Sequence, residues 1–134
     1  MASDLYYNDS IASSPSRTIA GLNSFPEKVI LIAGGKDKGI SYESLGPVVN
    51  DHVKLLILCG ATAGVIRASA EQAENYGGLE IVDVEDYHQA VSLARSRAGR
   101  GDVVILSPAS TSFDRFANFM ERGRVFKEIV NQLK

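Results

Sequence analysis

The chain has 134 residues, of which 45% are hydrophobic and 22% charged, with a formal net charge of -2 at neutral pH. This balance is typical of one globular domain, and it excludes a disordered tail, a collagen-like chain and a nucleic-acid binder that relies on bulk positive charge. The single cysteine, Cys59, excludes an internal disulfide and a cysteine-cluster metal site.

No apolar run approaches the ~20 residues that a membrane-spanning helix needs, so we expect no contact with a membrane. No charged and then apolar leader precedes the first predicted element, so we expect no signal peptide and a reducing cytoplasm as the location. A chain of this length can bury one core, but it can hardly hold a nucleotide domain, a substrate domain and a lid together. If the chemistry needs all of these, the chain is one part of a larger protein.

In chain order, the first predicted element is a short extended segment, Asp4–Tyr7, which ends at a turn. Pro15 is then placed to begin a helix, because proline is favoured at the first helical position. Lys28–Ala33 is rich in branched apolar residues and predicts a buried strand. The apolar spacing over 42–49 predicts a short helix that Pro47 limits or kinks.

The second half repeats this alternation more regularly. Val53–Cys59 predicts a strand, and Ala61–Tyr76 a helix that is stopped by a glycine pair. Glu80–Val84 predicts the next strand, followed by a helix over 85–99 whose first residues are acidic. Val103–Leu106 predicts the last strand.

A polar loop, Ser107–Phe113, follows the last predicted strand, and an aromatic helix follows the loop. The apolar side of Val125–Leu133 predicts the final helix. Strands that are apolar throughout and alternate with helices predict a Rossmann-like three-layer α/β domain, a mostly parallel sheet with helices on both faces. Ligands of such sheets bind at the carboxyl ends of the strands, where polar loops lie here at 8–14, 34–41 and 60–64 as well as at 107–113.

Two glycine-containing loops have alternative interpretations. Gly34–Gly39 follows a strand and carries two lysines, but it lacks the P-loop spacing, and its glycines equally fit a strand-end turn with positive φ. Gly60–Gly64 is only a fragment of a dinucleotide fingerprint, with Asp83 at the position of a ribose-binding acid. Close packing of helix on strand explains the glycines of this second loop better.

The loop after the last strand is rich in hydroxyl side chains, which together with free N–H groups at a helix start suit a carboxylate or phosphate. The alternative is ordinary helix capping, with Ser112 or Asp114 as the cap. Phe116 and Phe119 are predicted to lie in the core. The sequence has no G-x-S-x-G motif, so a nucleophilic serine is not expected.

Several of these segments together resemble one family. They are NDSIAS at 8–13, GGKDK at 34–38, LSPASTSFDRF at 106–116 and FMERG at 119–123. In this order and at this spacing they resemble the C-terminal domain of the Mur ligases over nearly the whole chain. The S-P-A-x-x-S-x-D-x-F and F-x-x-R-G patterns are specific, whereas GG-x-x-K is less so.

The resemblance implies the third domain of a bacterial cytoplasmic ligase of peptidoglycan synthesis, nearest to the members that add D-glutamate to UDP-N-acetylmuramoyl-L-alanine. In that family ATP activates the substrate carboxylate as an acyl phosphate, which the incoming amine attacks. The uridine-nucleotide domain and the central ATPase domain would be absent from this chain, so the isolated domain, residues 1–134, is expected to be inactive. ATP and Mg²⁺ would be bound mainly by the absent ATPase domain, and the enzyme would be a monomer.

The resemblance also implies site residues. Asp9 matches the acid that binds the ATP ribose. Ser13 stands at the threonine that contacts D-glutamate, and Lys38 matches the lysine that binds one D-glutamate carboxylate. Ser112 and the backbone at Phe119 match the contacts to the other carboxylate.

One departure and two alternatives remain. Ile11 stands where many members carry a lysine near the phosphates, so that charge must come from elsewhere or the contact is missing. One alternative is another Mur or folylpolyglutamate-type ligase with a different incoming amino acid. The other is a non-catalytic Rossmann-like module that binds a nucleotide through Gly60–Gly64.

Overall fold

The computed structural model describes residues 6–36, 39–99, 101–111, 116 and 118–132. Strands and helices alternate through these residues. The strands are β1 Tyr6–Asn8, β2 Val29–Ala33, β3 Val53–Leu58, β4 Glu80–Asp83 and β5 Val104–Leu106. The helices are α1 Pro15–Leu22, α2 Leu45–His52, α3 Ala63–Gln72, α4 Tyr87–Arg97 and α5 Phe119–Asn131.

The strands form one 5-stranded sheet in the order β1-β5-β2-β3-β4. Every pairing is parallel, which confirms the predicted α/β class and its mostly parallel sheet. The order places β5, the last strand in the chain, between β1 and β2. The loops that follow β1, β5 and β2 therefore leave the sheet side by side at its carboxyl edge.

Helices cover both faces of the sheet, as predicted. Leu31 and Leu56 face the layer of α1, α2 and α3, while Ile32 and Ile57 face the layer of α4 and α5. Alternate strand residues are therefore buried on opposite faces, which explains why β2 and β3 are almost continuously apolar in sequence. Within the described residues no helix is long and apolar enough to cross a membrane.

Pro47 does not limit α2, contrary to the prediction. It is the third residue of the helix, and the helix continues to His52. Backbone N–H groups in the first turn have no intrahelical acceptor, so a proline at this position removes no helical hydrogen bond.

Two helix boundaries also differ from the predictions. Helix α3 ends at Gln72 rather than at Tyr76, since Ala73 is extended with a ψ of 145°. Beyond that point the Asn75 side chain donates to the Pro47 carbonyl at 2.8 Å and to the Asp51 carboxylate at 3.1 Å. Helix α5 begins only at Phe119, with Asn118 as its cap. Phe116 lies outside that helix.

Candidate functional site at the carboxyl edge of the sheet

The loops that follow β1, β2, β3 and β5 are joined by backbone hydrogen bonds. The Ala109 N–H donates to the Ala12 carbonyl at 2.9 Å, and the Gly34 N–H donates to the Pro108 carbonyl at 2.9 Å. The Thr62 N–H donates to Gly35 at 3.0 Å. The candidate site is therefore one continuous layer of loops and not a set of independent turns.

Close backbone approach accounts for the glycines at these strand ends. Gly34 has a φ of 111°, and a Cβ there would lie 2.1 Å from the Cys59 carbonyl oxygen. A Cβ on Gly35 would lie 2.4 Å from the Thr111 carbonyl oxygen, and one on Gly60 would lie 3.0 Å from the Gly35 Cα. These contacts support the turn and packing interpretations of both loops.

Two of the hydroxyl groups that were predicted to bind an anion instead form hydrogen bonds with other residues of the protein. The Ser110 hydroxyl shares hydrogen bonds of 2.9 Å with the Tyr42 hydroxyl and 2.8 Å with the Thr62 hydroxyl. The Thr62 oxygen also accepts from the Gly35 N–H at 2.9 Å. Ser107 is fully buried, and its hydroxyl lies 2.9 Å from an Asp9 oxygen. The anion interpretation is therefore wrong for Ser107 and Ser110, because their hydroxyls hold the loops together.

Asp9 lies at the end of β1 and is half-buried. Its N–H donates to the Leu106 carbonyl at 2.8 Å, and its Oδ2 accepts from the Ser107 hydroxyl. A Cβ on Gly21 would lie 3.0 Å from the same Oδ2, so the carboxylate packs against α1. A carboxylate has about four lone-pair positions, so this anchored group retains capacity for a further donor.

Ser13 and Phe119 lie where the loop that follows β1 meets the start of α5. The Ser10 hydroxyl donates to the Phe119 carbonyl at 2.7 Å. The Phe119 side chain is 38% exposed, so the prediction that it lies in the core is wrong. Its N–H is at the first position of α5 and has no intrahelical acceptor. Ser13 is partly buried beside this contact.

Arg122 is the residue of this site that the sequence interpretation missed. It is only 1% exposed, and its Nε donates to the Ser10 hydroxyl at 3.0 Å. Its Nη1 donates to the Ser110 carbonyl at 2.8 Å and its Nη2 to the Ser10 carbonyl at 2.6 Å, while the Ser13 Oγ lies 3.4 Å from Nη2. Its place in the F-x-x-R-G pattern was the one sequence signal for a role at this site. Arginine is rarely buried, so the residue type alone predicts a surface position for Arg122.

Two further predicted site residues, Lys38 and Ser112, lie outside the described residues, as does the alternative cap Asp114. Near the first two, Lys36 and Thr111 form an isolated antiparallel bridge in which the Lys36 N–H donates to the Thr111 carbonyl at 2.9 Å. The Thr111 hydroxyl oxygen is buried and has no hydrogen-bond partner among the described residues. Buried polar atoms of this kind are usually satisfied by water or by a ligand.

A groove of about 430 Å³ runs along the start of α5. Ile11, which is 49% exposed, and Met120 give it an apolar part. Arg124 and Glu128, which pair with each other, also line it, and Lys127 adds a further basic side chain. Positive charge therefore enters the groove from α5, although Ile11 itself has none. Among the described residues no group of three His, Cys, Asp or Glu side chains could hold a metal ion.

Comparison with known proteins identifies the family. The family model described as "Mur ligase, glutamate ligase domain" matches residues 2–110. The UDP-N-acetylmuramoylalanine--D-glutamate ligases of Ruminiclostridium cellulolyticum and Acetivibrio thermocellus are 53% and 56% identical to the chain over 133 residues. These alignments cover 96% of this chain but only 29% and 28% of those proteins, so the chain spans less than a third of their length.

A solved structure has the same fold. The UDP-N-acetylmuramoyl-L-alanyl-D-glutamate--2,6-diaminopimelate ligase matches with a TM-score of 0.50 at 19% identity, over 71% of this chain and 22% of that chain. At that identity the likeness concerns the fold alone. The family model, in contrast, covers most of the chain, as the sequence motifs predicted. The chain therefore belongs to the Mur ligase family and corresponds to its glutamate ligase domain.

Proposed function

We propose that this chain is the C-terminal domain of a UDP-N-acetylmuramoylalanine–D-glutamate ligase and that it binds D-glutamate at the carboxyl edge of its sheet. The identity of more than half to relatives of that name supports the assignment. One structural observation carries it: Ser13 and the Phe119 backbone, far apart in sequence, are both held at one buried guanidinium and its Ser10 partner.

The charge at this edge favours an anion. Helices α1 and α5 begin here, and the positive ends of their dipoles and their free N–H groups attract carboxylates. The Ser10 contact with Phe119 joins the loop that leads into α1 to the start of α5. D-Glutamate carries two carboxylates, and we assign one to Lys38 with Ser13 and the other to Ser112 with the Phe119 N–H. The buried Thr111 hydroxyl has no hydrogen-bond partner within the described part of the chain, which supports a polar ligand near this loop.

Asp9 fits the role of a ribose ligand. Its carboxylate is anchored on one oxygen by Ser107 and keeps lone pairs for the ribose hydroxyls of ATP. No P-loop motif occurs in the sequence, so we assign the phosphates to another part of the longer polypeptide. Mg²⁺ is usually held by one or two carboxylates together with substrate phosphates, and we assign its ligands to that part as well.

In the reaction so proposed, the carboxylate of UDP-N-acetylmuramoyl-L-alanine takes the γ-phosphoryl group of ATP and becomes an acyl phosphate, and the bond from the γ-phosphorus to the bridging oxygen breaks to release ADP. The D-glutamate amine then attacks the acyl carbon, a C–N bond forms, the C–O bond to phosphate breaks, and the amine gives up a proton. The role of this domain is to orient the amine by fixing both carboxylates of D-glutamate. We further propose that the enzyme is a monomer of the bacterial cytoplasm.

The test is a phosphate-release assay on the full-length polypeptide, with D-glutamate, L-glutamate, D-aspartate and glycine as amino acids. We expect turnover only with D-glutamate, and selective turnover of another amino acid would contradict the proposal. Lys38→Ala should raise the KM for D-glutamate by about a hundredfold while leaving that for ATP unchanged, because a charge-assisted hydrogen bond to one carboxylate is lost.

Lys36→Ala is the matched control. Lys36 is exposed, and its contact with Thr111 is made by the backbone, so the substitution should leave both KM values unchanged. An unchanged KM for D-glutamate in Lys38→Ala would remove Lys38 from the pocket. The nucleotide-module alternative predicts tight binding of NAD, UDP or ATP by this chain alone, which calorimetry measures. The Thr62 hydroxyl in that loop is already used by Gly35 and Ser110, which disfavours this alternative.

A further inference from the structure

We infer that Arg122 is a positioning residue that holds Ser13 and the Phe119 N–H, one group from each carboxylate subsite of the proposed D-glutamate pocket, at a fixed separation. The inference rests on the proposed function, but it concerns a residue to which neither the sequence motifs nor the family comparison gives a role. The inference follows from the hydrogen bonds by which the buried Arg122 guanidinium joins two loops.

The guanidinium lies between the loop that follows β1 and the loop that follows β5. Through Nε and Nη2 it holds the Ser10 hydroxyl and carbonyl in the β1 loop, at 3.0 and 2.6 Å, with Ser13 beside it. Through Nη1 it holds the Ser110 carbonyl in the β5 loop at 2.8 Å. The same cation therefore joins the β1 loop to the β5 loop as far as Ser110.

Helix α5 is tied to the same point. The Ser10 hydroxyl accepts from Arg122 and donates to the Phe119 carbonyl at 2.7 Å. One residue further, Gly123 packs so closely that an added Cβ would lie 3.0 Å from the Asn8 side chain, whose amide donates to the Gly123 carbonyl. These contacts therefore hold the first turn of α5, and with it the Phe119 N–H, in a fixed position against the β1 loop.

Arginine is required here for its shape as well as its charge. A planar guanidinium presents five donors in fixed directions, so it can hold two loops at once. A lysine at this position would keep the positive charge but has a single nitrogen on a flexible stem. At 1% exposure the side chain is also locked by packing, so its donors are not free to follow a displaced loop.

Asp9 is held independently of this cation. Its N–H is bonded to Leu106 within the pairing of β1 and β5, and its carboxylate is bonded to Ser107. Disturbance of Arg122 should therefore affect the D-glutamate contacts much more than the ribose contact. This difference separates a positioning role from a general loss of structure.

The experiment measures steady-state kinetics of the full-length polypeptide with Arg122→Lys. We expect kcat/KM for D-glutamate to fall about a hundredfold, because displacements near 1 Å in a positioned substrate have effects of that size. The KM for ATP should change by less than about twofold. Arg97→Lys is the matched control, since Arg97 is exposed on α4, pairs with Glu80, does not line the groove beside α5, and should behave as the wild type.

Ser10→Ala provides a second test that does not depend on whether Arg122→Lys folds. It removes the hydroxyl between Arg122 and Phe119 without touching the cation, and it should raise the KM for D-glutamate about tenfold with the KM for ATP unchanged. Unchanged D-glutamate kinetics in either folded variant, or equal losses for both substrates, would overturn the positioning role. A wild-type enzyme that does not use D-glutamate would instead overturn the proposed function.

Discussion

Gly35→Ala tests whether the loop layer at the carboxyl edge is set by backbone contact. The added methyl carbon would lie 2.4 Å from the Thr111 carbonyl oxygen and 3.0 Å from the Ser110 Cβ. Both neighbours belong to a loop that is fixed by other hydrogen bonds, so the strain cannot be relieved by rotating a side chain. The methyl group therefore forces the β2 and β5 loops apart.

The expected cost has two parts. Overpacking of a buried position costs about 1–3 kcal/mol. Separation of the loops also breaks the hydrogen bond from the Lys36 N–H to Thr111, which contributes about 1 kcal/mol. We therefore expect Gly35→Ala to lower the free energy of unfolding by about 2–4 kcal/mol.

Denaturant unfolding of the 134-residue chain measures this change, as a lower midpoint at an unchanged slope. Gly64→Ala is the control, because Gly64 lies in α3 with no atom within 4 Å of its added Cβ. Alanine in a helix should stabilise the chain by roughly 0.5–1 kcal/mol. The reasoning is refuted if Gly35→Ala unfolds at the wild-type midpoint.

Further predictions concern the core and the opposite edge of the sheet. Phe126→Ala should lower the free energy of unfolding by about 3–5 kcal/mol in the same denaturant assay, because Phe126 is buried in the layer of α4 and α5. Phe119→Ala should change it by less than about 0.5 kcal/mol, and a loss as large as that of Phe126→Ala would place Phe119 in the core. The Lys54 ammonium, and then the Gly99 N–H, hold the pKa of Asp102 below its usual value, so this carboxylate stabilises the fold at neutral pH and ceases to do so as acid protonates it. Asp102→Asn should therefore destabilise the chain by about 0.5–1 kcal/mol at pH 7, the deficit should shrink as the pH falls below about 4 and through the lowered pKa, and a deficit independent of pH would contradict the ion pair.

The fold was predictable because its signal is periodic and local. Continuous apolar strands require cover on both faces, and the observed sheet with helices on both sides meets that requirement. Element boundaries were less predictable where a segment also contacts distant residues. Gly77-Gly78 marks a turn correctly, but α3 ends earlier, at an extended Ala73, and the Asn75 side chain that follows bonds to α2.

The start of α5 could have been predicted from a local signal. Asn118 caps the helix by accepting from the Glu121 N–H at 2.9 Å, and an asparagine with a glutamate three residues later is a known start pattern. Arg122 could not have been predicted from periodicity. Its burial depends on acceptors in two loops. Ser10 lies more than one hundred residues before Arg122 in the chain, and Ser110 lies twelve residues before it.

Strand β1 pairs with β5, so Tyr6 lies beside Val104 although nearly the whole domain separates them in sequence. During synthesis the ribosome must release the final helix before the first loop can acquire its neighbours, since contacts between distant segments form only after the intervening chain is available. A nascent or prematurely terminated copy that lacks α5 would keep the bonds of Asp9 to Leu106 and Ser107 but would leave Ser10 without Arg122 and Phe119. The contact on which the proposed pocket depends is thus completed only when the last helix is present.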